Sequence, residues 1–227
     1  MIADNLNLIQ NGLPPGVTLV AVSKFHPVET LMEAYRAGQR VFAESRPQEL
    51  AAKVPLMPED VRWHFIGHLQ TNKLKLVLPH ATLVQSVDSF HLLDAVRAWG
   101  QANRRVVDIL LELHLGAEPT KQGFTEDEIM SILSGLAGAS KQEFPPEGGV
   151  RIKGLMGMAT NTDEPEVVGS DFGRIEALFR RARESFPSLA ETFTELSIGM
   201  SADWKIALRH GATMVRIGTD IFGPREY

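Results

Sequence analysis

The stretch Val17-Thr-Leu-Val-Ala-Val-Ser-Lys24, followed by Phe25, His26 and Pro27, decides the fold. Six apolar or β-branched residues run without a charge, and a lysine then stands where the strand should end. A continuous apolar run of this length, bounded by turn residues, reads as a strand covered on both faces. Lys24 then lies at the carboxyl end of a central strand, the end at which open and closed parallel α/β folds bind ligands. An amine held there, partly desolvated, can attack a carbonyl and form a Schiff base. The plainer alternative is an ordinary lysine on the rim of a sheet.

The same pattern repeats along the chain. Buried-type runs occur at Val17–Ser23, Arg40–Ala43, Arg62–Ile66, Thr82–Gln85, Val106–Leu113, Arg151–Met156, Thr192–Ser197 and Thr213–Ile217. A helical lead-in over Asp4–Leu13 precedes them. Helical segments lie between the runs, at Pro27–Ala37, Ser45–Lys53, Gln70–Leu78, Ser89–Ala102, Thr125–Leu136, Glu164–Phe186 and Ala202–Arg209. Pro27 at the start and Gly38 after the end fit the usual asymmetry of a helix. Thr125-Glu-Asp-Glu128 fits a capping box. Eight strand–helix units in 227 residues predict one α/β domain, residues 1–227, folded as a single (β/α)8 TIM-type barrel. Ser140–Gly149 is the nearest thing to a linker, at ordinary loop length.

Composition narrows the function. The chain is 44% hydrophobic and 22% charged, as ordinary globular proteins are. A net charge of -5 lacks the basic footprint of a nucleic-acid binder. The absence of cysteine removes disulfides, thiol nucleophiles and cysteine-ligated metals. The N-terminus does not read as a secretory signal, and no apolar run approaches the roughly 18 residues of a membrane span. The expectation is a cytoplasmic protein without membrane or nucleic-acid partners.

If the fold is a barrel, its site lies where the strands end. Leu196-Ser-Ile-Gly-Met-Ser-Ala-Asp203 offers Ser197, Gly199, Met200 and Ser201, and Met214-Val-Arg-Ile-Gly-Thr219 offers Arg216, Gly218 and Thr219. Glycine turns on the last strands of a barrel commonly hold a phosphate, although each glycine alone could simply relieve a tight turn. A Schiff-base lysine with a phosphate cradle points to pyridoxal 5'-phosphate, whose ring nitrogen needs an Asp or Arg partner. Arg216 would only donate to that nitrogen, leaving the ring neutral and a weak electron sink. His64, in a structural or ring-contacting role, and Met158 stand at other strand ends as cofactor-binding candidates, and no HExxH metal motif accompanies His64 and His68.

Val22-Ser-Lys24, Trp63-His-Phe-Ile-Gly-His-Leu-Gln-Thr-Asn-Lys73, Gly154-Leu-Met-Gly-Met158, Leu196-Ser-Ile-Gly-Met-Ser201 and Met214-Val-Arg-Ile-Gly-Thr219 resemble, in order, the pyridoxal phosphate homeostasis protein family. The resemblance implies a fold-type III barrel similar to the N-terminal domain of alanine racemase. It implies a monomer in which Lys24 carries pyridoxal phosphate as an internal aldimine. The phosphate would lie around Ser197, Gly199, Gly218 and Thr219, with Arg216 toward the ring nitrogen. The implied role is storage and delivery of the cofactor, with pyridoxal phosphate-dependent apoenzymes as partners. Lys121 fits the family's basic residue after the fifth strand, and reads equally as a guard of the site or a solvated loop lysine. Ala43-Glu-Ser45 departs from the family's usual Gly-Glu-Asn, and Lys24-Phe-His-Pro27 from its Lys-Thr-x-Pro.

The competing reading is an amino-acid racemase. Racemisation needs a base on each face of the substrate. In the racemases the family resembles, the second base is a tyrosine from an added β domain and partner subunit. The tyrosines here, Tyr35 and Tyr227, are poorly placed in the sequence for that task. The expected function is therefore carriage of the cofactor rather than turnover.

Overall fold

The structure, a computed structural model, describes residues 1–116, 122–138 and 148–224. Lys121 and Tyr227, and most of the Ser140–Gly149 connection, lie outside the described residues. Eight strands close into a parallel barrel in chain order: β1 (Thr18–Val22), β2 (Val41–Glu44), β3 (Arg62–Phe65), β4 (Ala81–Val87), β5 (Val106–Leu113), β6 (Gly149–Gly157), β7 (Glu195–Ser197) and β8 (Met214–Ile217). Closure comes from β1 pairing with β8, with Val20 opposite Arg216 and Ala21 opposite Ile217. The lead-in is α1 (Ile2–Asn11), two residues earlier than expected.

The barrel wall is formed by α2 (Val28–Arg36), α3 (Pro47–Lys53), α4 (Leu74–Val77), α5 (Phe90–Ala102), α6 (Glu126–Gly138), α7 (Pro165–Ser185) and α8 (Trp204–Arg209), with a short α9 (Thr219–Phe222) after β8. The capping box forms as read: Glu128 N–H donates to Thr125 Oγ1 at 3.2 Å, and Thr125 N–H to Glu128 Oε2 at 2.8 Å. Two elements fall well short of expectation. Gln70–Leu78 yields only a 3-10 turn, Thr71–Lys73, and the four residues of α4. The seventh strand shrinks from Thr192–Ser197 to Glu195–Ser197, because Thr192 and Phe193 bond back to the Leu189 carbonyl.

Outside the barrel, apolar strand residues such as Leu19, Ala21, Phe42 and Ile109 join the inward faces of the helices in one large core. Inside, a separate small cluster of Val20, Val41, Ala43, Leu83, Leu110, Met156 and Met214 fills the lower barrel. Side chains two residues apart share a face of a strand. Counting by twos from this floor toward the strand ends reaches Val22 and Lys24 on β1, Gln85 on β4, Glu112 on β5, Met158 on β6, and Arg216 and Gly218 on β8. The floor thus puts a polar layer directly above itself.

One backbone feature sets the height of β6. Ile109 faces Ile152, but Leu110 faces Gly154, so Lys153 is an extra residue in a bulge. Gly154 has φ +155°, and a Cβ there would collide with the Glu195 carbonyl. Only glycine lets β6 pass β7 this closely.

Candidate functional site

At the carboxyl end of the barrel a cavity of about 230 Å3 is lined by Val22, Lys24, His26, Ile66, Met156, Met158, Met200, Ser201, Ala202, Arg216, Gly218, Thr219 and Gly223. It gathers seven of the ten residues expected from sequence. Ser197, Gly199 and His64 do not line it. Ser197 is fully buried beneath Arg216. Gly199 turns against Ala207 and Trp204 of α8 while its carbonyl accepts from Arg216 N–H at 2.9 Å. His64 points into the barrel, where inward strand positions fall below the mouth.

Lys24 occupies a turn. Ser23 C=O accepts from His26 N–H at 3.1 Å, placing Lys24 and Phe25 at the corners. Across the cavity, the N–H groups of Ser201 and Ala202 donate to no backbone carbonyl among the described residues. Those of Thr219 and Asp220 open α9, where the first turn has no intrahelical acceptors. Two short runs of outward N–H groups on neighbouring loops, with the Ser201 and Thr219 hydroxyls, make an anion cradle facing an amine. This donor set fits a phosphorylated carbonyl compound.

Arg216 is almost fully buried and held from three sides. Nη1 donates to Ser197 C=O and to Ser197 Oγ, both at 2.7 Å, and Nη2 to Gly157 C=O at 3.0 Å. The Ser197 hydroxyl, accepting from a group that can only donate, gives its own proton to Gln85 Oε1 at 2.7 Å. That turns the Gln85 amide nitrogen to His64 Nδ1 at 2.9 Å, so Nδ1 accepts and the imidazole carries its proton on Nε2. Burial, helped by Arg62, drives His64 down to about 3, which agrees with a neutral ring. The chain Arg216–Ser197–Gln85–His64 therefore has one direction. It fixes the guanidinium while leaving Nε without an acceptor among the described residues. Burial draws Arg216 down to about 10, opposed by Glu112 and Asp203, so it stays charged at neutral pH.

Glu112 is the second buried ionisable group of this layer. Burial, and then the Asp88 carboxyl, push its acid up to about 7 against the pull of Arg216. An acid raised on folding is ionised more readily in the unfolded chain. Its contribution to stability is therefore lost as pH rises from the ordinary carboxyl value of 4.5 to about 7. Replacing Glu112 by Gln should remove that loss. Relative to wild type, Glu112→Gln is expected to gain about 2 kcal/mol between pH 5 and pH 8 in urea unfolding. A difference between the two proteins that stays flat with pH would contradict this.

Gln85, Glu112 and Lys53 were not legible as site residues in the sequence. The signal was present: each of the first two is a polar residue inside an apolar strand run. Ser45 replaces the family's amide, and its backbone is tightly covered, since a Cβ on Gly67 would collide with the Ser45 carbonyl.

The sequence profile of the alanine racemase N-terminal domain matches residues 1–226. A protein of Schizosaccharomyces pombe named pyridoxal phosphate homeostasis protein is 36% identical over 211 residues, 92% of this chain and 84% of its own length. The protein of the same name from Escherichia coli K12 is 33% identical over 221 residues, 94% and 88% of the two chains. The chain belongs to the pyridoxal phosphate homeostasis protein family. The chain also resembles solved structures: PipY, the COG0325 family member of Synechococcus elongatus PCC7942, without PLP has a TM-score of 0.88 at 34% identity, covering 98% of this chain and 100% of that one. The same protein with PLP bound gives a TM-score of 0.85 at 33% identity and the same coverage. Alanine racemase from Corynebacterium glutamicum shares the fold, with a TM-score of 0.74 at 17% identity over 98% of this chain and 61% of the racemase.

Proposed function

We propose that this protein binds pyridoxal 5'-phosphate through a Schiff base to Lys24 and serves in cofactor homeostasis by holding and releasing it. The observation that carries this reading is that Lys24, the N–H-bearing loop residues Ser201, Ala202 and Thr219, and Arg216 line one cavity. Family membership, and the solved relative with PLP bound, support it. Ser201, Gly218 and Thr219 would hold the phosphate, Arg216 Nε would meet the ring nitrogen, and Met158, Met200 and His26 would border the ring. Ser197, Gly199 and His64 act from beneath, through Arg216. When bound, the cofactor supplies an electrophilic carbonyl and an electron sink.

The sink is weak here. Arg216 can only donate to the ring nitrogen, which would then hold no proton of its own, so the bound ring would draw off negative charge poorly. That favours carriage over racemisation. Pyridoxal phosphate-dependent apoenzymes are the recipients in this reading, and the protein works as a cytoplasmic monomer with one barrel unit. No helix among the described residues is long and apolar enough to cross a membrane. The test is a visible spectrum of the protein with pyridoxal phosphate before and after borohydride, together with a chiral assay on free amino acids. A reducible band without racemisation is expected. Robust racemisation would overturn the carrier reading, and absence of the band would overturn cofactor binding.

A further inference from the structure

Beneath the Lys24 turn lies a buried ionic cluster that neither cofactor nor barrel floor uses. Lys53, at the end of α3, is almost fully buried. Its Nζ donates to Ser23 C=O at 2.8 Å, to Glu44 Oε1 at 2.7 Å and to Glu49 Oε1 at 2.7 Å. Glu44, at the end of β2, is fully buried, and its Oε1 also accepts from Ser23 Oγ at 2.6 Å. Its Oε2 has no hydrogen-bond partner. Glu49 Oε1 accepts in addition from Phe25 N–H at 2.7 Å. Lys53 therefore reaches the residue before Lys24 directly and the residue after it through one carboxylate.

Phe25 shows what this clamp opposes. Its φ of +68° lies in the left-handed region that turns usually give to glycine or asparagine, and Arg104 is the other described non-glycine residue with positive φ. A bulky residue stays there only where its surroundings over-determine it. Here Glu49 holds its N–H, and the Arg46 guanidinium covers its ring at 4.2 Å. An ion cluster spanning β1, β2 and α3 around a strained corner is a device for placing the residue between its two grips, which is Lys24.

We infer that Lys53 is a positioning residue for Lys24: by gripping Ser23 and, through Glu49, Phe25, it holds the strained turn from which the Lys24 amine meets the carbonyl of pyridoxal phosphate. The inference rests on the cofactor reading above. It predicts a specific rescue, because glycine adopts the Phe25 conformation without strain. Lys53→Met should keep its far-UV circular dichroism, exchange the residue-25 amide faster in ligand-free protein, and form the Schiff base about tenfold more slowly than wild type. Adding Phe25→Gly to Lys53→Met should restore most of that rate. If Lys53→Met does not fold, Glu49→Ala, at a less deeply buried position, takes its place with the same expectations. Wild-type kinetics and amide protection in a folded Lys53→Met, or no rescue by Phe25→Gly, would overturn the inference. A wild type that forms no Schiff base would instead refute the cofactor reading, while the Phe25 amide, measured without ligand, still judges the clamp.

Discussion

Lys24→Ala is expected to abolish the borohydride-reducible visible band and the mass label it leaves, and to weaken pyridoxal phosphate binding by at least about a hundredfold, about 2.7 kcal/mol. Lys24 extends the inward series Val20, Val22, Lys24 beyond the strand end, so its side chain enters the cavity rather than the helical layer. In the variant the cradle and Arg216 remain, and they would hold phosphate and ring without the covalent link. Lys24→Arg separates charge from nucleophilicity. A guanidinium keeps the positive charge but stays protonated, so it cannot attack the carbonyl. It should keep part of the affinity and none of the band. Neither substitution touches the apolar core, so unfolding of the ligand-free protein should shift by no more than about 0.5–1 kcal/mol. A band that survives in Lys24→Ala would assign the Schiff base to another lysine.

Arg216→Leu should have the largest effect on stability, about 3–5 kcal/mol, because it breaks a buried charge out of its partners. Three acceptor positions lose their donor: the Ser197 carbonyl, the Ser197 hydroxyl and the Gly157 carbonyl. Against a total stability of about 5–15 kcal/mol, this approaches the threshold of unfolding. The loss should depend on pH in a stated direction. Glu112 loses the charge that draws its acid downward. At pH 6 it is protonated in the folded state with or without Arg216, and nothing more is lost through it. At pH 8 it is ionised in the wild type and is kept protonated further in the variant, so the deficit grows. Denaturant unfolding at pH 6 and 8 checks this, and Glu112→Gln in the same background should remove the pH dependence. A deficit equal at both pH values would separate Glu112 from Arg216.

Much of the barrel is legible residue by residue. The runs at Val17–Ser23 and Val106–Leu113 read as strands and form β1 and β5, and the Thr125–Glu128 box marks the start of α6 within one residue. Where the reading slipped, local propensity met a competing tertiary bond. Thr192 and Phe193 have strand character, yet the Leu189 carbonyl captures both of their N–H groups. Gln70–Leu78 looks helical, but only its second half is. In the candidate site, the lysine, glycines and hydroxyls at the strand ends could be picked out only as a group, since each alone has a plainer structural reading. Their depth was not readable: Ser197 and His64 sit within the barrel, where they face Gln85 rather than a ligand.

By itself the sequence determined the β/α order, the strand ends that form the mouth, the lysine with its two glycine-bearing loops, and the family. The first three follow from period and spacing, which are local properties of the chain; the family follows from the likeness of its motifs to those of known relatives. Only the tertiary structure decided which polar groups pair across the barrel. Gln85 and Ser197 are 112 residues apart, and Lys53 meets Ser23 across 30. Such pairings depend on barrel closure and on the bulge at Lys153, which set the height of each strand against the next. A side chain's hydrogen-bond partner is fixed by that height to within an ångström or so, and no pattern along the chain encodes it.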